Sequence, residues 1–411
     1  MRIAIYENLP PGGAKRAAFE LGRYLATHHD IELHRLSITD NRLFDLGPLA
    51  RQVYVHRYSP LRGALDARLK AGHYAPRSYT LFGPLRRLHR RIAADIRGRR
   101  YDVVLAHTDA MTQSPYLLRW LAPQPNVYYC QEVLRVREET TALRLHRRRL
   151  AASRFPLGTL RLLEDAIVLP RLEAADRTNA AAAGAIVVNS KYSRERVRAA
   201  YGRDAITSYL GVDISRFRPD PAVSRVPEVL SIGSPALLKG HDLVIDALSQ
   251  IEAGRRPRLR VITAPGPDAQ TLSRLAVERG VELALEHGLD EARLIHRYQS
   301  ALATICASRL EPFGLTAVES MACGTPVIAI DEAGYRETVR DGVTGHLVEP
   351  TAAALGGALS SLVQEPQAAA RLGAAGPPWV AQHWTWDRAG QRLEAVLERT
   401  VAGGHGDDVR D

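Results

Sequence analysis

Cysteine is scarce in this chain, with Cys130, Cys306 and Cys323 the only three in 411 residues. They are too few for a disulfide framework and lack metal-ligand spacing. Cys130 and Cys306 lie in apolar runs, so they read as buried free thiols in a reducing compartment. No apolar run approaches the length that crosses a bilayer. The opening Met1-Arg-Ile-Ala-Ile-Tyr6 is a short strand pattern broken at once by turn residues, without the apolar core of a secretion signal, and points to the cytoplasm. There is no internal repeat, and only the polar tail 403–411 is of low complexity and expected to be disordered. A D-x-D metal clip and an obvious acid/base pair are also missing. Aromatics make up only 6% of the chain and do not interleave with its basic residues, which argues against a nucleic-acid partner.

Short apolar runs alternate with helical patterns, as in parallel sheets wrapped by helices. Strands are expected at 3–6, 31–38, 103–106, 127–130 and 186–188, and again at 229–232, 259–263, 302–306, 327–330 and 346–348. The turn-rich stretch holding Tyr209-Leu-Gly-Val-Asp213 and Phe217-Arg-Pro-Asp-Pro221 separates the two series. This divides the α/β chain into a first domain at 1–210, a linker at 211–225, a second domain at 226–385 and a terminal helix at 386–402.

The most informative stretch is Glu311-Pro-Phe-Gly-Leu-Thr-Ala-Val-Glu319, two carboxylates eight residues apart across a strand-to-helix turn. The helix starts near Phe313 and Gly314, buries Leu315, Val318 and Ala322, and stops at Gly324 with Pro326 beyond. Its unpaired first N–H groups suit a phosphate, while Glu311 before the helix and Glu319 on it suit hydroxyls. A ligand with both features is a nucleotide sugar.

Continued through Ser320-Met-Ala-Cys-Gly-Thr-Pro-Val-Ile328 and Asp341-Gly-Val-Thr-Gly345, this string resembles the donor site of retaining glycosyltransferases of family 4, with the GT-B fold. The resemblance implies two Rossmann-like domains facing each other across a cleft. It also implies a last helix, here Trp384-Thr-Trp386 and the residues through Leu397, that returns to the first domain. Glu311 would contact the transferred sugar and Glu319 the ribose, with Phe313, Gly314 and Leu315 at the helix start completing that part of the donor site. At the strand end Val229-Leu-Ser-Ile-Gly233 the family has Arg after the glycine and Lys five residues later. Lys239 matches, but Ser234 replaces the Arg and removes a bidentate cation from the diphosphate.

The first strand runs into Asn8-Leu-Pro-Pro-Gly-Gly-Ala14, where glycines allow close backbone approach and Lys15 and Arg16 add positive charge. Gly12 and Gly13 resemble the family's glycine loop, which faces the donor phosphates and the acceptor. His107 and Gln131-Glu132 close two strands at a sheet's carboxyl edge, on the acceptor side. His107 can titrate and Gln131 cannot, so His107 is the better candidate for a catalytic contact alongside Glu311 and Lys239. His34 and His89 show no pairing and are expected at the surface.

Positive charge is local. Residues 51–100 hold thirteen Lys or Arg and two acidic residues, whereas the whole chain's excess is +10. There Leu85, Leu88, Ile92 and Ile96 form an apolar stripe with Arg86, Arg87, Arg90 and Arg91 off it, and Arg144, Arg147, Arg148 and Arg149 follow. Such a helix is either a solvated face, a dock for anionic lipid headgroups that would make the enzyme peripheral at the membrane's inner face, or a seat for an acidic acceptor.

The expected activity is retaining, metal-independent transfer of a sugar from a UDP- or GDP-linked donor to a hydroxyl of a glycan, lipid-linked or small-molecule acceptor, with no further cofactor. A sugar-nucleotide epimerase or phosphorylase shares the fold, and Ser234 leaves open a non-catalytic nucleotide-sugar-binding protein.

Overall fold

A computed structural model describes residues 1–59, 82–134 and 157–403, and its chain divides into two units, Met1–Ser208 with Gly390–Asp411, and Tyr209–Ala389. The arginines at 144–149 and the tail beyond Gly403 lie outside the described residues.

The first unit runs β1 (Arg2–Asn8), α1 (Gly13–His28), β2 (Asp30–Leu36), β3 (Gln52–His56), α2 (Pro84–Gly98), β4 (Val103–Asp109), β5 (Asn126–Cys130), α3 (Leu157–Ala181), β6 (Ala185–Val188), α4 (Lys191–Tyr201) and β7 (Ile206–Thr207). Its strands form one sheet in the order β3-β2-β1-β4-β5-β6-β7, every pairing parallel. The second runs β8 (Glu228–Ile232), α5 (His241–Ser249), β9 (Arg258–Ile262), α6 (Pro267–Glu278), β10 (Leu283–Glu286), α7 (Glu291–Ser300), β11 (Ala303–Cys306), α8 (Leu315–Ala322), β12 (Val327–Ile330), α9 (Tyr335–Thr338), β13 (Gly345–Val348), α10 (Ala352–Gln364) and α11 (Pro366–His383). Its sheet is ordered β10-β9-β8-β11-β12-β13, again parallel. The last helix, α12 (Trp386–Val401), begins in the second unit, and its residues from Gly390 belong to the first.

Central strands carry unbroken apolar runs because helices cover both faces of a parallel sheet. Val103 to Ala106, Val127 to Cys130 and Val327 to Ile330 are all fully buried. Ten expected strands are present within a few residues. The three without a forecast, β3, β7 and β10, lie at sheet edges, where one flank is open and a continuous apolar run is not required.

The apolar stripe of α2 is a correction. Leu85, Ile92 and Ile96 are buried in the core with Tyr6, Val104 and Tyr128, and Leu88 packs partly buried against it. The stripe therefore cannot insert into a membrane, while Arg86, Arg87, Arg90 and Arg91 remain exposed on the opposite face. His34 and His89, expected at the surface, are also fully buried. His89 lies within hydrogen-bond distance of the Tyr6 hydroxyl at 3.1 Å, and that hydroxyl donates to Asp109 at 2.7 Å.

Truncation of this stripe tests its role. Ile92→Ala should destabilise the first unit by about 2–5 kcal/mol, read as a lower urea midpoint, because it opens a cavity in a close-packed core. Its association with anionic vesicles should be unchanged in the folded state.

Candidate active site

Each sheet reverses strand order once at its centre, between β1 and β4 and between β8 and β11. Connections leave such a point in opposite directions, and the strands' carboxyl ends open into a crevice. The candidate residues of the second unit sit on the two loops beside its reversal: Gly233, Ser234 and Lys239 after β8, and Glu311, Phe313 and Gly314 after β11.

Lys239 Nζ donates to Glu311 Oε2 at 2.7 Å, and Ser308 Oγ donates to the same oxygen at 2.7 Å. Both partners of the ion pair are partly open to solvent, with side-chain exposures of 31% and 21%. The Lys239 stem lies along Gly233, where a Cβ would fall 3.3 Å from its methylenes, so the glycine leaves the lysine its path. His241 lies within hydrogen-bond distance of Ser231 Oγ at 2.7 Å and of the Ser234 carbonyl oxygen at 3.1 Å, pinning the loop from below. Burial pushes the His241 pKa down to about 4. Ser234 itself is exposed.

Glu311 is held by its backbone as well, its carbonyl accepting from the Gly334 N–H at 2.9 Å. Leu310 and Ala333 flank this contact in left-handed conformations at φ 54°, a cost that tends to persist only where the surroundings over-determine the loop. The Leu310 N–H donates to Glu332 at 3.0 Å, and Glu332 pairs with Arg309 at 2.8 Å. Phe313 is buried against Trp384, with ring centroids 5.6 Å apart, and anchors the turn. Gly314 then adopts φ 88°, where a Cβ would also meet the Tyr335 ring at 2.7 Å. No side chain caps the helix α8 that follows, and Leu315 is its first residue. By contrast α4, α7 and α10 are capped by Ser190, Asp290 and Thr351. The start of α8 thus has N–H groups to offer an anion. Glu319, one turn on, is buried, and its Oε2 accepts from the Tyr298 hydroxyl at 2.8 Å.

In the first unit, α1 starts at Gly12 and Gly13 without a side-chain cap, and a Cβ on Gly12 would meet nothing within 4 Å. Lys15, expected to present a cation, is corrected: it is fully buried, donating to Glu7 at 2.7 Å and to the Asp40 carbonyl. Burial raises the Glu7 pKa, and the Lys15 hydrogen bond opposes that rise. Arg16 is buried too, with its guanidinium 5.9 Å from the centre of the Phe44 ring. His107 lies within β4 rather than beyond it, fully buried, and neither ring nitrogen has a hydrogen-bond partner among the described residues. Burial pushes its pKa down to about 4, so it is neutral near pH 7. The buried Gln131 Nε2 is likewise unpartnered among the described residues, and its backbone carbonyl accepts from Asn189 at 2.9 Å. Glu132 is half-buried, its carbonyl accepting from Gln113 at 2.7 Å.

Ser308, His241 and Tyr298 were missed by sequence reasoning. Ser308 stands three residues before Glu311, a spacing that could have flagged it; Tyr298 reaches Glu319 from another helix and leaves no local signal.

The second unit is similar to known glycosyl transferases. The family described as "Glycosyl transferases group 1" matches residues 214–379. Over that stretch the chain is similar to the group 1 glycosyl transferases. A GDP-mannose-dependent alpha-(1-6)-phosphatidylinositol monomannoside mannosyltransferase of Mycolicibacterium smegmatis is 33% identical over 51% of this chain and 60% of that protein. A D-inositol 3-phosphate glycosyltransferase of Catenulispora acidiphila is 33% identical over 59% of this chain and 64% of its own. The chain thus spans about 60% of the length of these curated relatives. Sucrose-phosphate synthase from Thermosynechococcus elongatus superposes with a TM-score of 0.75 at 21% identity, covering 98% of this chain and 100% of that one. That likeness shows the fold, which is GT-B with two parallel α/β units.

Two outcomes test the two units. Lys239→Ala should weaken nucleoside diphosphate binding at least tenfold by calorimetry, since a charge-assisted contact is worth about 1.5–3 kcal/mol. Unchanged affinity would place the phosphates elsewhere. The buried histidines set an acid limit: His89 and His107 titrate near 6.5 when unfolded but at about 4 when folded. The unfolded state therefore binds more protons in between, and stability should fall as pH drops from 6.5 to 4, with His107→Gln flattening part of that slope in pH-dependent urea titrations.

Proposed function

We propose that this chain is a retaining, metal-independent glycosyltransferase that moves a sugar from a UDP- or GDP-linked donor to an acceptor hydroxyl. The observation that carries the reading is the Lys239–Glu311 pair at 2.7 Å beside the uncapped start of α8. Lys239 and the helix N–H groups take the diphosphate and stabilise its departure. Glu311 accepts hydrogen bonds from the transferred sugar, and Glu319 from the ribose. Lys239 and the helix dipole offset the missing cation at Ser234. His107, held neutral, donates or accepts a hydrogen bond at the acceptor without carrying charge.

An acidic acceptor fits the first unit. A cavity of about 470 Å³ is lined by Phe82, Arg86, Tyr116, Arg119 and Arg171, with no carboxylate among its lining residues. Burial lowers the Arg119 pKa and the nearby Arg86 acts in the same direction, so the described lining brings two like charges together. With Arg86, Arg87, Arg90 and Arg91 exposed on α2, the same face serves a lipid-linked acceptor at an anionic membrane surface, at about 1 kcal/mol per basic residue. Among the described residues no helix is long and apolar enough to cross a membrane.

Thermal shift against UDP- and GDP-linked sugars identifies the donor, because a ligand bound only by the folded chain raises its melting temperature. With that donor, Glu311→Gln should reduce turnover at least a hundredfold while the chain stays folded. Retention is read from the anomeric configuration of the product, and metal independence from activity in chelator. Donor binding without turnover on any acceptor would favour a nucleotide-sugar-binding protein. Arg86→Glu with Arg90→Glu should weaken sedimentation with anionic vesicles at low salt; equal binding to neutral vesicles would remove the membrane from the reading.

A further inference from the structure

His34 on β2, His56 at the end of β3 and Asp95 on α2 place one ligand atom each within 4.8 Å of one another. None belongs to the candidate site.

Hydrogen bonding fixes which atoms face inward. The Tyr101 hydroxyl donates to Glu32 Oε2 at 2.8 Å, so its proton is spent. Tyr101 can then only accept from His34 Nε2, which lies 3.1 Å away. His34 is thereby the Nε2–H tautomer, and its Nδ1 presents a lone pair. That lone pair accepts from His56 Nε2–H at 3.0 Å and lies 3.9 Å from Asp95 Oδ2; on metal binding His56 takes its other neutral tautomer, with the proton on Nδ1 and Nε2 free to ligate. Asp95 is oriented in turn, its other oxygen accepting from Arg99 Nε at 3.1 Å. An imidazole tied through a tyrosine to a carboxylate, and a carboxylate tied to an arginine, are the outer contacts that orient metal ligands.

We propose that His34 Nδ1, His56 Nε2 and Asp95 Oδ2 bind one divalent transition metal of the Zn²⁺ class as a structural clip. Two imidazoles and a carboxylate suit such an ion and leave a position for water. Nitrogens bound tetrahedrally at Zn–N distances of about 2.0–2.1 Å lie roughly 3.3 Å apart, so the pair need open only slightly. Burial keeps His34 neutral, its pKa pushed down to about 3, with the neighbouring His56 acting in the same direction. Glu32 and Asp95 balance Arg2 and Arg99, so net local charge does not oppose a cation. The Asp95 side chain is 36% exposed and gives the ion an entry path. Bound metal would tie the edge strand β3 to α2, beside the stacking of Arg99 on Tyr54.

Tag-free, chelator-treated full-length chain is titrated with Zn²⁺, and with Co²⁺ for its visible absorption. One equivalent should bind, with an imidazole–carboxylate cobalt spectrum and a raised melting temperature, and Mg²⁺ should do neither. His56→Ala and Asp95→Asn should each weaken Zn²⁺ at least tenfold. Asp95→Asn keeps the oxygen that meets Arg99 while replacing the ligand oxygen, so it stays informative if His56→Ala fails to fold. Absence of stoichiometric binding, or binding unchanged in Asp95→Asn, overturns the site and leaves a buried histidine hydrogen bond.

Discussion

A parallel sheet whose strand order reverses at its centre cannot cover the carboxyl ends of the two strands at the reversal, and the candidate site of the second unit lies there. In the second unit the loops after β8 and β11 meet across that gap through the Lys239–Glu311 ion pair, beside a backbone hydrogen bond from the Arg309 N–H to the Leu238 carbonyl. The other features of the site serve to hold that pair. Gly233 clears the lysine stem, Ser308 shares the carboxylate oxygen, and Gly334 holds the Glu311 backbone. Phe313 and Trp384 wedge the turn from the apolar side.

Much of the second unit was legible because its signals are local. Glu311, Gly314 and Glu319 lie within nine residues, and glycine before an apolar helical pattern announces a helix start without a side-chain cap. Central strands were legible for a related reason, since burial on both faces demands unbroken apolar runs. Edge strands β3 and β10 were not, because half-exposed residues such as Gln52 and Glu286 carry no such pattern.

The first unit misled sequence reasoning at Lys15 and Arg16, whose charges were expected to face a ligand and are buried instead. Lys15 follows two glycines, yet Glu7 lies within reach on the neighbouring strand and draws it inward. A buried charge is tolerated only when paired, and a partner eight residues away on another element is invisible to spacing rules. The stripe on α2 shows the converse: amphipathic periodicity is the same whether the apolar face meets lipid or a sheet, and only the fold decides. His34 and His89, apparently isolated in sequence, find partners through strands and helices brought together by the topology.

The uncapped start of α8 also bears on how this chain is handled in solution. N–H groups at a helix start that no side chain among the described residues caps do not discriminate between a nucleotide's phosphate and any other small oxyanion of similar size. If the proposed donor site lies there, phosphate or sulfate buffers would compete at that helix end, lowering the apparent donor affinity while raising resistance to heat. A neutral organic buffer with chloride as the counter-ion keeps that competition to a minimum.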